Sequence, residues 1–264
     1  MCVAEAYALG GELLGEMVEV LYRDLGRMGY GECWELQRLL FGRVLDSKSS
    51  AAADSLALSD SRAMNIPEWD SIIGADCGGE LLLVEHNPVY TLGKSGKSEN
   101  MLVSEEYLRQ IGAEFYRIER GGDVTYHGPG QIVGYPILDL EKLGIGLRQY
   151  IDSLEQAIID VCADWGIAAG RIEGASGVWI EPESVRARKI CAIGVRSSRY
   201  VTMHGFAMNV TTDLRYFSHI NPCGFVDKGV TSLSREVGRE IALDEVKEQI
   251  VKHLAERLNV KIYK

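Results

Sequence analysis

The sequence predicts an α+β domain built on a mixed sheet flanked by helices. Two observations carry this. Helical periodicity stands towards both ends, at 30–48 and 243–259, while strand-like stretches fill most of the chain between them. Strands and helices also fail to alternate in the regular βαβ rhythm of a parallel doubly wound sheet.

Taken in order, "VEVLYRDLG" (18–26) reads as a strand. "YGECWELQRLLFGRVLDSK" (30–48) places Trp34, Leu36, Leu39, Leu40, Val44 and Leu45 near helical spacing. Residues 49–79 are rich in Ser, Ala, Asp and Gly and read as a surface insertion. "ELLLVEH" (80–86) is a buried strand, and 104–112 is a short helix with Ser104 as N-cap and a glycine stop. "AEFYRIE" (113–119) alternates as a strand does and leads into the Gly-rich "RGGDVTYHGPGQ". In the strand "IVGYPILDL" (132–140), Pro136 signals an edge or a bulge. The clearest helix, 146–166, puts Leu147, Ile151, Leu154, Ile158, Val161 and Trp165 on one stripe. Strands follow at 177–180, 189–195 and 201–210, and the helix 243–259 is expected to be capped by Asp244.

At 264 residues, with 46% hydrophobic and 25% charged residues, the chain reads as one globular domain over 1–264. No apolar run reaches the ~20 residues of a membrane span. The acidic N-terminus (Glu5, Glu12, Glu16, Glu19) resembles neither a secretory signal nor an Arg-rich transit peptide, so the cytoplasm is the expected compartment. A net charge of −10 argues against general nucleic-acid binding. The six cysteines (2, 33, 77, 162, 191, 223) form no CxxC pair and suggest neither a disulfide framework nor, with His219 four residues before Cys223, a metal site.

Two cysteines compete as a nucleophile. Cys223 lies between Pro222 and Gly224, on a turn where a thiol is accessible, although a lone cysteine is usually a buried hydrophobe. Cys191 lies inside a strand, where packing is its natural role. By alternation it should share a face with Lys189. Lys189 is either a solvated strand-end lysine or an inward-pointing cation that favours a nearby thiolate. The Gly-rich loop matches neither GxxxxGK[ST] nor GxGxxG, so no nucleotide-phosphate cradle is indicated. Its glycines allow close backbone approach to a carbonyl or an acyl chain. A basic run (Arg186, Arg188, Lys189, Arg196, Arg199) without a carboxylate offers either a solvated face or a dock for an acidic partner.

"RGGDVTYHGPGQIVGYPILDL", "KICAIGVR", "HGFAMNV" and "NPCG" followed by "VTSL", in this order, closely resemble octanoyl-[acyl-carrier-protein]:protein N-octanoyltransferase, the lipoyl(octanoyl) transferase family. The likeness runs from about residue 18 to 258. It implies the catalytic fold of biotin and lipoate protein ligases, no cofactor and no metal. It implies octanoyl-acyl-carrier protein as donor, and as acceptor the lipoyl domains of 2-oxoacid dehydrogenases or the glycine cleavage protein. The nucleophile falls on Cys223 and the lysine that lowers its pKa on Lys189. Acyl-substrate contacts fall on Arg120, Gly121, Gly122, Asp123, Val124, Thr125, Tyr126 and His127, on Ala192, Ile193 and Gly194, and on Gly205, Phe206 and Ala207, with His127 at the mouth of an acyl channel. Two alternatives stay open: an ATP-dependent lipoate or biotin ligase, and a non-catalytic carrier-protein or lipoyl-domain binding module.

Overall fold

A computed structural model describes residues 17–48, 77–221 and 228–264. In chain order the elements are β1 (Glu19–Met28), α1 (Tyr30–Ser47), β2 (Cys77–His86), β3 (Val89–Leu92), α2 (Glu105–Gln110), β4 (Glu114–Arg117), β5 (Val124–His127), β6 (Gln131–Leu138), α3 (Leu147–Asp164), β7 (Ala169–Ile172), β8 (Ala175–Ile180), β9 (Arg188–Ser198), β10 (Val201–Asn209), β11 (Gly229–Val230), α4 (Leu233–Val237), α5 (Leu243–Leu258) and β12 (Lys261–Tyr263).

The main sheet runs β12-β1-β2-β6-β10-β9-β8-β7, with β11 paired to β9; a second sheet runs β4-β3-β5. Pairing is mixed. β1 is parallel to β12 and β2, and β11 to β9, while β2, β6, β10, β9, β8 and β7 are antiparallel in succession. The predicted class therefore holds.

The apolar pattern explains the layers. In β2, Leu81 and Leu83 pack under α3 and α5, while Leu82 and Val84 pack under α1. Alternation thus buries both faces of this strand, as its unbroken apolar run requires. The helix α3 buries Tyr150, Leu154, Ile158 and Val161 against that sheet, with Val246, Ile250 and Leu254 of α5 beside them. The small sheet has its own core, where Tyr90, Leu92, Val124 and Tyr126 meet Leu108 of α2.

Three expectations need correction. The stretch 49–79 ends inside β2, whose first residues are Cys77, Gly78 and Gly79; residues 49–76 lie outside the described residues. Pro136 sits in a central strand rather than at an edge. It faces Leu81 of β2, and on its other side the β10 ladder stops at Gly134–Phe206. There His204 turns to φ +63°, and Thr202 Oγ1 donates to the Pro136 carbonyl (2.8 Å) while accepting the Leu138 N–H (3.0 Å). The irregularity lies on the neighbour, so the N–H that proline lacks is not needed. Finally, α5 begins at Leu243 after Ala242, which places Asp244 within the first turn, where it takes Lys247 Nζ (3.2 Å) rather than capping backbone amides.

Candidate active site

Between the small sheet and the main sheet lies a cavity of about 810 Å³. One wall is the Gly-rich segment. Gly122 supplies the positive φ (+90°) that folds it back on itself. The buried Arg120 guanidinium then ties it down, with Nη2 donating to the Thr91 carbonyl (2.8 Å), Thr91 Oγ1 (3.0 Å) and the Asp123 carbonyl (2.7 Å). Asp123 also accepts from the Asn100 amide. Gly121 donates its N–H to the Val195 carbonyl (3.0 Å), which seals the segment onto β9. That amide is therefore not available to a developing oxyanion.

The opposite wall is the β9–β10 pair. Register matches Ala192 with Ala207 and Gly194 with Gly205. A Cβ at Gly194 would stand 2.8 Å from the Gly121 carbonyl and 3.2 Å from Arg120 Cδ, so only glycine lets the two walls close there. Ile193 and Phe206, which pair with each other, border the cavity but turn their side chains into the core under α3.

Lys189 reaches the cavity because β9 carries a bulge. Val178 opposes Cys191 and Trp179 opposes Lys189, so β9 has one extra residue, Ile190. Ile190 and Cys191 consequently both enter the α3–α5 core, and the expected shared face of Lys189 and Cys191 is lost. Lys189 Nζ donates to the Ser176 carbonyl (3.0 Å) and stands 4.6 Å from the centroid of the Trp179 ring. Burial drives the Cys191 thiol far above its usual range, as befits a packing residue.

Cys223 lies outside the described residues, which resume at Lys228. The flanking positions are informative. Phe217 and Ser218 on one side of it, and Lys228, Gly229 and Val230 on the other, line the cavity, and Val230 pairs with Lys189.

The histidines are deeper than expected. His127 is buried, not at a mouth. Its Nδ1 donates to Gln131 Oε1 (2.8 Å), because the Gln131 amide nitrogen is committed to the Tyr126 carbonyl and Asn209 Oδ1. Burial first, then His86 and Arg120, push its pKa down to about 3. Tyr126, the next residue back, points the other way: it stacks on Tyr216 in the small-sheet core and leaves the cavity wall to its neighbours.

Several lining residues escaped the sequence reading: Tyr30, Tyr135 and Trp179. Among the described residues, neither buried ring nitrogen of His204 finds a hydrogen-bond partner, and burial followed by Arg120 and Arg196 lowers its pKa to about 3. Its only sequence signal is the glycine that follows it. The basic run is largely neutralised: Arg186 pairs with Glu181 (3.2 Å), Arg188 with Glu181 (3.0 Å) and Glu236 (2.5 Å), and Arg196 with Glu119. Those carboxylates lie outside the run and only the fold brings them to it.

The model of the lipoyl protein ligase A/B catalytic domain matches residues 51–255. An octanoyltransferase of Bacteroides fragilis is 60% identical over 193 residues, covering 71% of this chain and 87% of the relative. The chain belongs to the octanoyltransferase family. A Flavobacterium johnsoniae octanoyltransferase is 48% identical over 92% of this chain and 98% of its own length, and the family is one of acyltransferases. Among solved structures, an archaeal bipartite lipoate protein ligase from Thermoplasma acidophilum superposes with a TM-score of 0.61 at 17% identity, covering 94% of this chain and 86% of its own. Lipoate-protein ligase A bound with ATP gives 0.60 at 16%, covering 94% and 87%. These two establish a shared fold alone. Among the described residues, no helix is long and apolar enough to cross a membrane.

Proposed function

We propose that the protein transfers an octanoyl group from an acyl donor, octanoyl-carrier protein, to a lysine amine of a lipoyl domain, through an octanoyl thioester on Cys223. The observation that carries this reading is Lys189: a bulge aims it into a cavity whose β9–β10 wall is stripped to alanine and glycine, beside the chain that leads to and from Cys223. Small residues leave room for methylenes, each worth about 0.8 kcal/mol when buried.

In the resting site the Lys189 ammonium favours the Cys223 thiolate. The thiolate attacks the donor carbonyl; the new C–S bond forms as the bond to the carrier thiol breaks, and Lys189 gives its proton to that leaving thiolate. The incoming amine then attacks the acyl-enzyme. The C–N bond forms, the bond to Cys223 breaks, and the now neutral Lys189 takes the proton released by the amine, which restores the ion pair. Exchange of one thioester for another is near-balanced and amide formation runs downhill, so no ATP enters. Arg120, Gly121, Gly194 and the cavity faces of Ala192 and Ala207 hold the chain.

The test is incubation with octanoyl-carrier protein alone, followed by intact mass measurement. A gain of one octanoyl group, absent in Cys223→Ser, is expected. A gain that needs ATP and free octanoate would instead mark a ligase, and no gain under either condition a binding module. Full transfer by Cys223→Ser would sink the assignment.

A further inference from the structure

Lys189 is a half-buried cation that lines the cavity. Among the described residues, the Trp179 ring at 4.6 Å and the Ser176 carbonyl at 3.0 Å favour the ammonium. That carbonyl does not stand alone. Ser176 C=O and Gly177 N–H are the two ends of one peptide unit, and in a trans peptide they point in opposite directions. The Gly177 N–H donates to Glu155 Oε1 at 2.9 Å. The Glu155 carboxylate is buried on α3, and its other oxygen accepts Arg171 Nε at 2.8 Å. Arg171 is anchored in turn on the Asp152 carbonyl (2.9 Å).

We propose that the Ser176–Gly177 peptide is a relay between Glu155 and Lys189, and that Glu155 is a positioning residue which holds Lys189 as an ammonium through it. A carboxylate at the N–H end polarises the peptide and makes its carbonyl a stronger acceptor for the cation at the other end. Arg171 damps the effect by sharing the Glu155 charge. Gly177 is part of the device. Its φ is +117°, and a Cβ would lie 2.5 Å from the Cys191 carbonyl and 3.4 Å from Lys189 Cε, so a side chain there would turn the peptide away from both partners. The catalytic role of Lys189 rests on the function proposed above; the relay itself concerns only the state of Lys189.

The other ionisable groups described around Lys189 are not members of the Glu155–Arg171 pair. Arg188 is closed by Glu181 and Glu236, Lys228 lines the same cavity, and the Cys191 thiol lies in the core behind β9.

The experiment measures the pH dependence of acetic-anhydride labelling of Lys189, read by peptide mass spectrometry in the full chain. Octanoyl transfer is followed in parallel. Glu155→Gln removes the charge at nearly constant shape and should move the labelling midpoint down by half a unit or so. Arg171→Met, at a half-exposed position, should move it up. A merely structural role of the Glu155–Arg171 pair would shift both variants the same way, and that result, or no shift in either, overturns the relay. Opposite shifts establish it even if Glu155→Gln folds poorly enough to need confirmation by Glu155→Asp, which keeps the charge and should restore the wild-type midpoint. If the shifts appear but Lys189→Met still transfers octanoyl at the wild-type rate, the relay stands and the catalytic reading of Lys189 falls.

Discussion

On the α3 side of the β9–β10 pair, Cys191 faces Met208 and Ile193 faces Phe206, and all four pack into the main core. On the other side, at the interleaved registers, Ala192 faces Ala207 and Gly194 faces Gly205. One pair of strands therefore presents two surfaces that differ mainly in side-chain volume. The first is filled by the protein itself. The second leaves out that volume, so a flexible apolar chain can lie where side chains would otherwise be. The same alternation that sends every second residue into the core makes this possible without disturbing the ladder.

The comparison breaks most sharply at Phe206. Its ring lies over Gly134, where a Cβ would come within 2.1 Å of Cζ. Phe206→Ala should cost about 3–5 kcal/mol of unfolding free energy. A loss below 1 kcal/mol in urea denaturation would mean this face is not close-packed. Across the sheet, Ala192→Leu should do the reverse. It should leave the denaturation midpoint nearly unchanged but cut kcat/KM for octanoyl transfer by about a hundredfold, since overpacking a fitted site costs of the order of 1–3 kcal/mol. An unchanged kcat/KM would show that the acyl chain does not lie on Ala192.

How much of this was legible in the sequence differs between the two faces. The helices, the long strands and the glycine-rich segment follow from periodicity and composition. The motif residues are visible because glycine, alanine and lysine in apolar strands are unusual. The four-residue strands β3 and β5 are too short to show a period, so 120–131 reads as loop although Val124–His127 is a strand. The surroundings of Lys189 could not be read at all. They depend on a bulge at Ile190, which only the cross-strand register defines, and on Ser176, Trp179 and Glu155, which arrive from other elements. Nor does a local run of arginines reveal that Glu119, Glu181 and Glu236 will close on it.

Titration also separates the two sides. His86, His127 and His204 are buried on the cavity side of the sheet, with pKa values pushed down to about 4, 3 and 3, burial being the first cause for each. In the unfolded chain each titrates near 6.5. Their neutral forms thus support the fold fully above pH 6.5, and that support is lost as the pH falls towards 4 and 3. In this window the unfolded state binds more protons, and stability should drop by about 1.4 kcal/mol per pH unit for each histidine. The measurement is the urea midpoint at pH 7, 6, 5 and 4 for wild type and His127→Gln. The variant should show a shallower slope; an equal slope would mean His127 titrates alike in both states.

The smallest effect tests which thiol belongs to which face. Cys191 is fully buried beside Met208, with its thiol pKa raised by burial, so its place is in the packed surface. Cys191→Ala removes one heavy atom from a filled core and should cost about 1 kcal/mol of stability, while turnover stays within about twofold of wild type. Iodoacetamide at pH 8 should leave Cys191 unmodified in the native enzyme, because a buried thiol with a raised pKa offers no thiolate to react. Should Cys191→Ala abolish transfer while Cys223→Ser retains it, the nucleophile lies on the packed face after all. The bulge at Ile190 would then orient a reactive thiol rather than Lys189.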